Sequence, residues 1–339
     1  MECTKIGVIH LNQIGDLLFS LPLLASLRAR FPHARIDSIL RPGLKDLMEG
    51  SHLVDRIIPR EQGIFPWLTL LMTLRKQRYD LLVCLARSEG ALALACASNA
   101  GFTVGFARFP WDIGLDAKET VEGHNSWYNN AKLLNLLNII PSQNSYVGLL
   151  NADDGAYSGE LPDRYVVISP GASRRRLVKA WDERKFAEVM AHLHQHYALT
   201  PVIVGGSDTQ ECAALIGMHY REVNSDPPTS EESFDLTGRL SLKELCSVLK
   251  KARLFVGIDS GVMHLSSALD IPVVGIFGPT DPFYVGPQNE RSIVVRQDIS
   301  CSPCYIRKQC SHRECMETLP ASRVLDACRS LLEGVQGSG

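Results

Sequence analysis

Short runs of β-branched and aliphatic residues alternate with longer amphipathic runs along most of this chain. In the first third, strand-like runs occupy residues 6–11, 35–40, 55–58 and 80–85, and helix-like runs occupy residues 17–30 and 67–78. Such alternation is typical of βαβ units, in which parallel strands form a sheet and helices cover its faces. The pattern therefore predicts an α/β fold built on a parallel sheet.

The alternation weakens in the middle of the chain and then restarts. Turn-forming residues are concentrated between residues 148 and 162, where we place a linker. In the second half, strand-like runs at 165–169, 200–204, 253–258 and 272–277 alternate with helix-like runs at 183–197, after 206, from 241 and at 260–269. A length of 339 residues allows two cores of about 150 residues each. We predict two doubly wound domains, residues 1–155 and 162–339, facing across a central cleft, the second ending in a tail helix.

Charge and hydropathy limit the classes of function. The 35 Lys and Arg residues nearly balance 37 Asp and Glu residues, so no general positive field attracts nucleic acid. The longest apolar stretches, residues 17–27 and 65–74, are about half the length of roughly 20 residues that a bilayer requires. The N-terminus also lacks the pattern of a signal peptide. We therefore expect a cytoplasmic protein that binds no nucleic acid and does not span a membrane.

Several common phosphate-binding motifs are absent from the sequence. It contains neither G-x-G-x-x-G nor G-x-x-x-x-G-K-[ST], the fingerprints of dinucleotide-binding and P-loop proteins. It also contains no Asp-x-Asp, the carboxylate pair with which a transferase would hold a divalent metal on a diphosphate. Any phosphate chemistry is therefore expected to proceed without a metal.

The strongest local signal is a strand-to-helix junction at Asp259-Ser260-Gly261 with His264 one turn further along. Free N–H groups and the dipole at such a helix start attract an anion, and Gly261 lets a ligand approach the backbone. The junction therefore predicts a phosphate site. An alternative interpretation is that Asp259 and Ser260 only cap the helix.

Two further loops follow strands in the second half. The loop after Ser169 contains Gly171, Ser173 and Lys179, which offer backbone, hydroxyl and ammonium donors to a phosphate. The turn at residues 277–282 ends the next strand. Because ligands of open α/β folds bind at the carboxyl edge of the sheet, all three loops are expected at one site. Alternatively, the loop after Ser169 is a solvated basic loop.

In the first half, Asp16 follows the first strand and lies near the start of the next helix. A carboxylate there can accept a proton from an incoming hydroxyl, or it can simply stabilise the helix N-terminus. Arginines also follow strand-like runs, and such arginines suit an acceptor bearing carboxylates or phosphates. They are Arg41, Arg60, Arg87 and Arg108.

Two features have more than one interpretation. Cys301, Cys304, Cys310 and Cys315 have the density of a structural zinc site, but the same residues suit reduced or disulfide-paired cysteines. The apolar run at residues 65–74, followed by the basic run 75–78, suits either a core-packed helix or an interfacial helix anchored by Trp67 and Arg75.

Five pieces in a fixed order resemble the lipopolysaccharide heptosyltransferases of glycosyltransferase family 9. They are Ile14-Gly-Asp16 with Leu21-Pro22, residues 31–36, Pro170–Ser173 with Lys179-Ala-Trp181, Asp259–His264 and Phe277–Asp281. The resemblance implies a GT-B fold of two Rossmann-like domains, the first binding the acceptor and the second an ADP-activated heptose. It further implies inverting transfer, without a metal or other cofactor, in the cytoplasm onto the lipid A-linked inner core of lipopolysaccharide. Peripheral contact with the inner membrane is a separate expectation, which follows from the interfacial interpretation of the run at residues 65–78.

The resemblance also implies roles for individual residues. Asp16 matches the catalytic base, and Ser173 and Lys179 match contacts to the donor phosphates. The ADP-binding turn is matched by Asp259, Ser260, Gly261 and His264. Gln210 lies near the expected ribose site. Two positions depart from the family pattern, since His10 replaces a basic residue and Gln210 an acidic one. A transferase that uses another nucleotide sugar and a non-catalytic nucleotide-sugar-binding protein remain alternatives.

Overall fold

The structure, a computed structural model, describes residues 3–151, 155–171, 178–224, 235–305, 310 and 312–334. Contacts within the chain divide it into a first unit, residues 1–151, and a second unit, residues 152–339. This division falls inside the segment 148–162 in which the sequence pattern weakens. Each unit contains its own parallel β-sheet.

The first unit contains a six-stranded parallel sheet in the order β3-β2-β1-β4-β5-β6. Its strands are β1 Lys5–Ile9, β2 Arg35–Leu40, β3 Arg56–Pro59, β4 Leu81–Cys84, β5 Phe102–Phe106 and β6 Ala117–Glu119. The strand order reverses between β1 and β4, which form neighbouring strands. In doubly wound folds, ligands bind where the order reverses, outside the carboxyl ends of the strands.

Helices connect the strands of the first unit. They are α1 Ile14–Arg30, α2 Lys45–Met48, α3 Ile64–Gln77, α4 Glu89–Ala97 and α5 Trp127–Leu136. Pro22 is accommodated within α1, where it is buried. The core of this unit includes β1, β2 and β4 together with the inward faces of α3 and α4. The strands are therefore covered by helices, as their continuous apolar sequences predict.

The second unit has a five-stranded parallel sheet in the order β11-β10-β9-β7-β8. Its strands are β7 Tyr165–Ser169, β8 Thr200–Ile203, β9 Leu254–Ile258, β10 Val273–Phe277 and β11 Ser292–Arg296. Its helices are α6 Glu183–Tyr197, α7 Gln210–Val223, α8 Leu242–Lys250, α9 Gly261–Ala268, α10 Pro282–Val285, α11 Glu314–Glu317 and α12 Ala321–Gly334. The order reverses between β7 and β9, so the loops after these two strands flank the expected ligand position.

The predicted α/β class is correct, and both sheets are parallel and doubly wound. Strand β7 and helix α6 agree with the sequence prediction residue for residue. At the start of α8, Ser241 and Glu244 form the reciprocal pair of hydrogen bonds of a capping box. Among the described residues, no helix combines the length and apolarity that crossing a membrane requires.

Candidate functional site

The β9–α9 junction of the second unit holds a buried polar cluster around Asp259. The carboxylate of Asp259 accepts a hydrogen bond from Thr280 Oγ1 at 2.7 Å and forms an ion pair with Lys179 Nζ. Asp259 and Lys179 are both more than nine-tenths buried. Because Thr280 follows β10 and Lys179 lies in the segment after β7, three neighbouring strands contribute to one cluster, as the sequence predicts.

Electrostatics fix the protonation states in this cluster. Burial alone raises the pKa of Asp259, but Lys179 and the hydrogen bonds outweigh burial and hold that pKa below its ordinary value. His264 Nε2 lies 3.8 Å from Asp259 Oδ1. Burial lowers the pKa of His264 to about 4, with Lys179 acting in the same direction and Asp259 opposing. At neutral pH Asp259 is therefore a carboxylate and His264 a neutral imidazole.

The start of α9 is shaped to admit a ligand close to the backbone. Ser260 is its N-cap, and Ser260 Oγ accepts a hydrogen bond from Met263 N at 3.5 Å. Gly261 occupies the first helical position. We call the position where the strand order of a sheet reverses its switch point; in the second unit it lies between β7 and β9. Across this switch point from α9, Gly171 has a φ of +26°, and a Cβ there would meet Ser169 Oγ and Ser260 Cβ at 3.4 Å. These residues permit close approach to the exposed N–H groups of the helix.

Ser169 is a polar group at this junction that the sequence analysis did not single out as a site residue. It is fully buried, and its Oγ has no hydrogen-bond partner among the described residues. A buried hydroxyl without a partner is unusual, because it loses its hydrogen bonds to water without compensation. The sequence signal was a serine ending an otherwise apolar strand, at the position where α/β folds bind ligands.

The two remaining predicted donor contacts are Gln210 and Ser173. Gln210 begins α7 and its Nε2 donates to Thr237 O at 3.2 Å. The adjoining Gly238 has a φ of +70°, and a Cβ there would meet Gln210 Nε2 at 2.9 Å. Gln210 is thus packed against the loop at Thr237-Gly238. Ser173 lies outside the described residues.

In the first unit, Asp16 lies in the first turn of α1 and is partly exposed. The N-cap of this helix is Gln13, which makes no capping hydrogen bond with its side chain. His10, at the end of the preceding strand, is fully buried, and its Nδ1 is 2.9 Å from Ser20 Oγ. Burial lowers the pKa of His10 to about 3, with Arg60 acting in the same direction. His10 is therefore neutral, unlike the basic residue that the family pattern has there.

The four arginines that the sequence analysis singled out in the first unit form two pairs, one on either side of the switch point between β1 and β4. Arg41 and Arg60 line one cavity beyond β1, β2 and β3, and Arg60 donates to His10 O at 2.8 Å and Asn12 Oδ1 at 2.6 Å. Beyond β4 and β5, Arg108 donates to Arg87 O at 2.7 Å. The structure thus brings all four to the carboxyl edge of the sheet, the edge at which α1 begins.

The four cysteines of the C-terminal cluster line a single small cavity in the second unit, together with His312. All ten cysteines of the chain are among the described residues, and none forms a disulfide. Burial raises the pKa of the Cys315 thiol to about 11, and the nearby Cys304, Cys310 and Cys301 act in the same direction. Within the described residues, no three His, Cys, Asp or Glu side chains are grouped so that they could hold a metal ion.

Comparison with known proteins gives a match at the level of the family. The family model described as glycosyltransferase family 9 (heptosyltransferase) matches residues 67–315. The chain is 25% identical over 301 residues to lipopolysaccharide heptosyltransferase 3 of Escherichia coli, covering 82% of this chain and 85% of that protein. The match therefore extends over both units.

Solved structures share the fold over nearly the whole length. A glycosyltransferase of family 9 from Veillonella parvula DSM 2008 superposes with a TM-score of 0.81 at 20% identity, covering 98% of this chain and 99% of that one. The E. coli ADP-heptose lps heptosyltransferase II superposes with a TM-score of 0.78 at 21% identity, covering 98% and 100%. Both likenesses support the two-sheet architecture of the heptosyltransferase fold.

Proposed function

Because the chain belongs to glycosyltransferase family 9, the heptosyltransferase family, we propose that it transfers heptose from ADP-heptose to the inner core of lipopolysaccharide. It is a glycosyltransferase. The proposed donor and acceptor follow the names of its relatives, which include an ADP-heptose lps heptosyltransferase. The observation on which the proposal depends most is the Lys179–Asp259–Thr280 cluster beside the start of α9.

The donor is assigned to the second unit. The N–H groups at the start of α9 attract the diphosphate, and Ser260 and Gly261 allow it to approach the backbone. Lys179 Nζ, held by Asp259, supplies the positive charge that stabilises the departing diphosphate. Asp259, His264, Gln210 and Ser173 complete the proposed donor contacts, Ser173 on the resemblance alone.

The acceptor is assigned to the first unit. Asp16 is proposed as the general base, because a partly exposed carboxylate at a switch point can reach an acceptor hydroxyl. Arg41 and Arg60, with Arg87 and Arg108 on the other side of the switch point, are proposed to bind its anionic groups.

The proposed reaction is a single displacement. Asp16 accepts the proton of the acceptor hydroxyl, and the hydroxyl oxygen forms a bond to the anomeric carbon of the heptose. The bond from that carbon to the diphosphate oxygen breaks, and ADP leaves with the electron pair. Attack opposite to the leaving group inverts the anomeric configuration. One base is sufficient, since ADP needs charge neutralisation more than a proton.

ADP release with defined acceptors tests this function. Purified protein is supplied with ADP-heptose and with heptose-deficient lipopolysaccharide, and the product is identified by mass spectrometry. We expect one added heptose and stoichiometric ADP. Transfer from another nucleotide sugar alone would identify a different donor, and donor binding without turnover would favour a non-catalytic binding protein.

A zinc ion at the cysteine cluster remains a separate proposal. Cys301, Cys304, Cys310 and Cys315 line one cavity, and thiolates are favoured zinc ligands, but the four would have to draw closer together to bind one ion. The proposal would be supported if purified wild-type protein contained about one equivalent of zinc and the double variant Cys301→Ser/Cys304→Ser contained none. Absence of zinc from protein purified without chelators would refute it.

A further inference from the structure

Helix α3 has apolar side chains on its outward face as well as its inward face. Leu70 and Leu74 are buried against the core of the first unit. On the opposite side, Phe65, Leu68 and Met72 follow at helical spacing and are 79%, 40% and 63% exposed. The outward face of a surface helix is ordinarily polar, so an apolar stripe there indicates a binding surface.

A second exposed apolar segment follows β5. Phe109 and Ile113 are 82% and 69% exposed. Their loop is attached to both ends of α4, through an ion pair of Arg108 with Glu89 at 3.3 Å and a contact of Cys96 Sγ with Trp111 O at 3.5 Å.

Helix α3 is attached to the same two ends of α4. Trp67 Nε1 donates to Gly90 O at 2.8 Å, and Arg75 Nε donates to Ala97 O at 2.8 Å. The two apolar segments therefore flank one short helix and are neighbours in the first unit. Trp67 and Arg75, which the interfacial interpretation of this helix treats as membrane anchors, thus hold α3 against α4.

The charge along the exposed stripe of α3 is positive. The exposed stripe of α3 continues with Lys76, and Arg78 ends the helix. Residues 62–79 contain no Asp or Glu. In the loop after β5, Asp112 is buried and accepts a hydrogen bond from Arg108 N at 2.7 Å. An apolar surface bordered by cations is complementary to a bilayer with anionic headgroups.

We propose that Phe65, Leu68, Met72, Phe109 and Ile113, which we name the apolar face, dock on the surface of an anionic membrane, with Lys76 and Arg78 at the headgroups. The proposal rests on the proposed function, since a lipid-linked acceptor lies in such a membrane. Helix α3 follows β3, and the loop of Phe109 follows β5, so both begin at the carboxyl edge of the sheet. Docking there brings the acceptor to the edge at which Asp16 lies.

Vesicle flotation tests the docking directly and requires neither donor nor acceptor. The vesicles contain phosphatidylethanolamine with phosphatidylglycerol, or phosphatidylcholine alone. We expect wild-type protein to float with the anionic vesicles. The variant Phe65→Ser/Met72→Ser/Phe109→Ser/Ile113→Ser should bind at least about tenfold more weakly. Lys76→Glu should weaken binding to anionic vesicles by roughly fivefold or more, in a salt-dependent manner, and leave binding to neutral vesicles unchanged.

The matched control is Leu215→Ser/Met218→Ser, which removes two exposed apolar side chains from α7 of the second unit. It should float like wild type, and all variants should keep the wild-type melting temperature. Absence of wild-type flotation, or an equal loss in the control, would overturn the proposal. If the wild-type protein is a dimer and the quadruple variant is a monomer, the apolar face binds a second copy of the chain, which would also overturn the proposal.

An activity measurement separates this proposal from the proposed function. With a deacylated, water-soluble acceptor, the turnover rate of the quadruple variant should be within about twofold of that of the wild type. With acceptor embedded in vesicles, its rate should fall in parallel with its flotation. If no acceptor is glycosylated by any form, the proposed function fails while the flotation result still decides the docking surface.

Discussion

The two units place a carboxylate at the same kind of strand-to-helix junction but in different surroundings. In the second unit, Asp259 is buried, paired with Lys179 and bonded to Thr280, and its pKa lies below the ordinary value. In the first unit, Asp16 is partly exposed in the first turn of α1. A buried, paired carboxylate holds a cation in position and is a poor base. This difference supports the proposed division of roles, with charge stabilisation in the second unit and proton transfer in the first.

The largest expected effect concerns Asp16. Asp16→Asn keeps the size of the side chain but removes its basicity, so kcat should fall by about 10²–10⁴-fold. Donor affinity, measured by calorimetry with ADP, should stay within about twofold of wild type, because the donor is assigned to the other unit. Near-normal turnover would remove Asp16 from the mechanism, and an equal loss of ADP affinity would break the assignment of separate roles.

The next effect concerns the ion pair of the second unit. Lys179→Ala leaves a buried carboxylate without its cation, so the free energy of unfolding should fall by about 3–5 kcal/mol. ADP affinity should also fall, by roughly tenfold or more, since Lys179 is proposed to neutralise the diphosphate.

The double variant Lys179→Met/Asp259→Asn separates these two effects. It removes both charges, so it should unfold less readily than Lys179→Ala while binding ADP no better. Chemical denaturation and calorimetry measure the two quantities. Unchanged ADP affinity in Lys179→Ala would show that the cluster is structural only, and the contrast with Asp16 would then lose its functional meaning.

The three loops of this cluster were predictable from the sequence, but the pairing of Lys179 with Asp259 was not. Lys179 and Asp259 are 80 positions apart, and no local pattern indicates that two loops meet. The sequence therefore assigned Lys179 to a phosphate and did not predict its partner. The location was predictable, because polar residues ending apolar parallel strands share one edge of a sheet.

The elements show the same distinction between local and tertiary information. Strand β7 is buried throughout and reads as a continuous apolar run, so its bounds follow from the sequence. Strand β6 was not predicted, because it has three residues, two of them charged, and depends on pairing with β5. Helix α3 begins at Ile64, three residues before the predicted start, where Gly63 adopts a φ of +113° that the local sequence does not specify.

Both junctions contain a buried neutral histidine, which predicts loss of stability in acid. The folded-state pKa values of His10 and His264 are lowered to about 3 and about 4, below the ordinary 6.5. Below pH 6.5 the unfolded chain binds protons that the folded chain does not, so stability is complete above pH 6.5 and falls as the pH decreases. Each histidine should cost about 2 kcal/mol at pH 5.

Melting curves at pH 7.5 and pH 5 test this symmetry between the units. The free energy of unfolding should decrease less between pH 7.5 and pH 5 in His10→Asn and in His264→Asn than in the wild type, by about the 2 kcal/mol that each histidine contributes. Asp259 also makes the protein less stable in acid, but here the folded state favours the charged form of the side chain and not the neutral one. Because the pKa of Asp259 is lowered by folding, its contribution to stability is lost only when the pH falls below about 4. A pH dependence unchanged in one of the two variants would mean that its histidine is protonated in the folded state.

The smallest expected effect concerns the helix starts. Ser260 caps α9, whereas α1 has no side-chain cap, so Ser260→Ala makes the start of α9 resemble that of α1. The capping bond is long, at 3.5 Å, and its loss should cost about 0.5 kcal/mol, at the low end for such caps. ADP affinity should fall by a few-fold if the hydroxyl also contacts the diphosphate.

Ser241→Ala, at the capping box of α8, is the matched control: it should cost about 1 kcal/mol and leave ADP affinity unchanged. Denaturation and calorimetry on both variants distinguish a serine that binds donor from one that only caps a helix, and equal ADP affinities would assign Ser260 to capping alone.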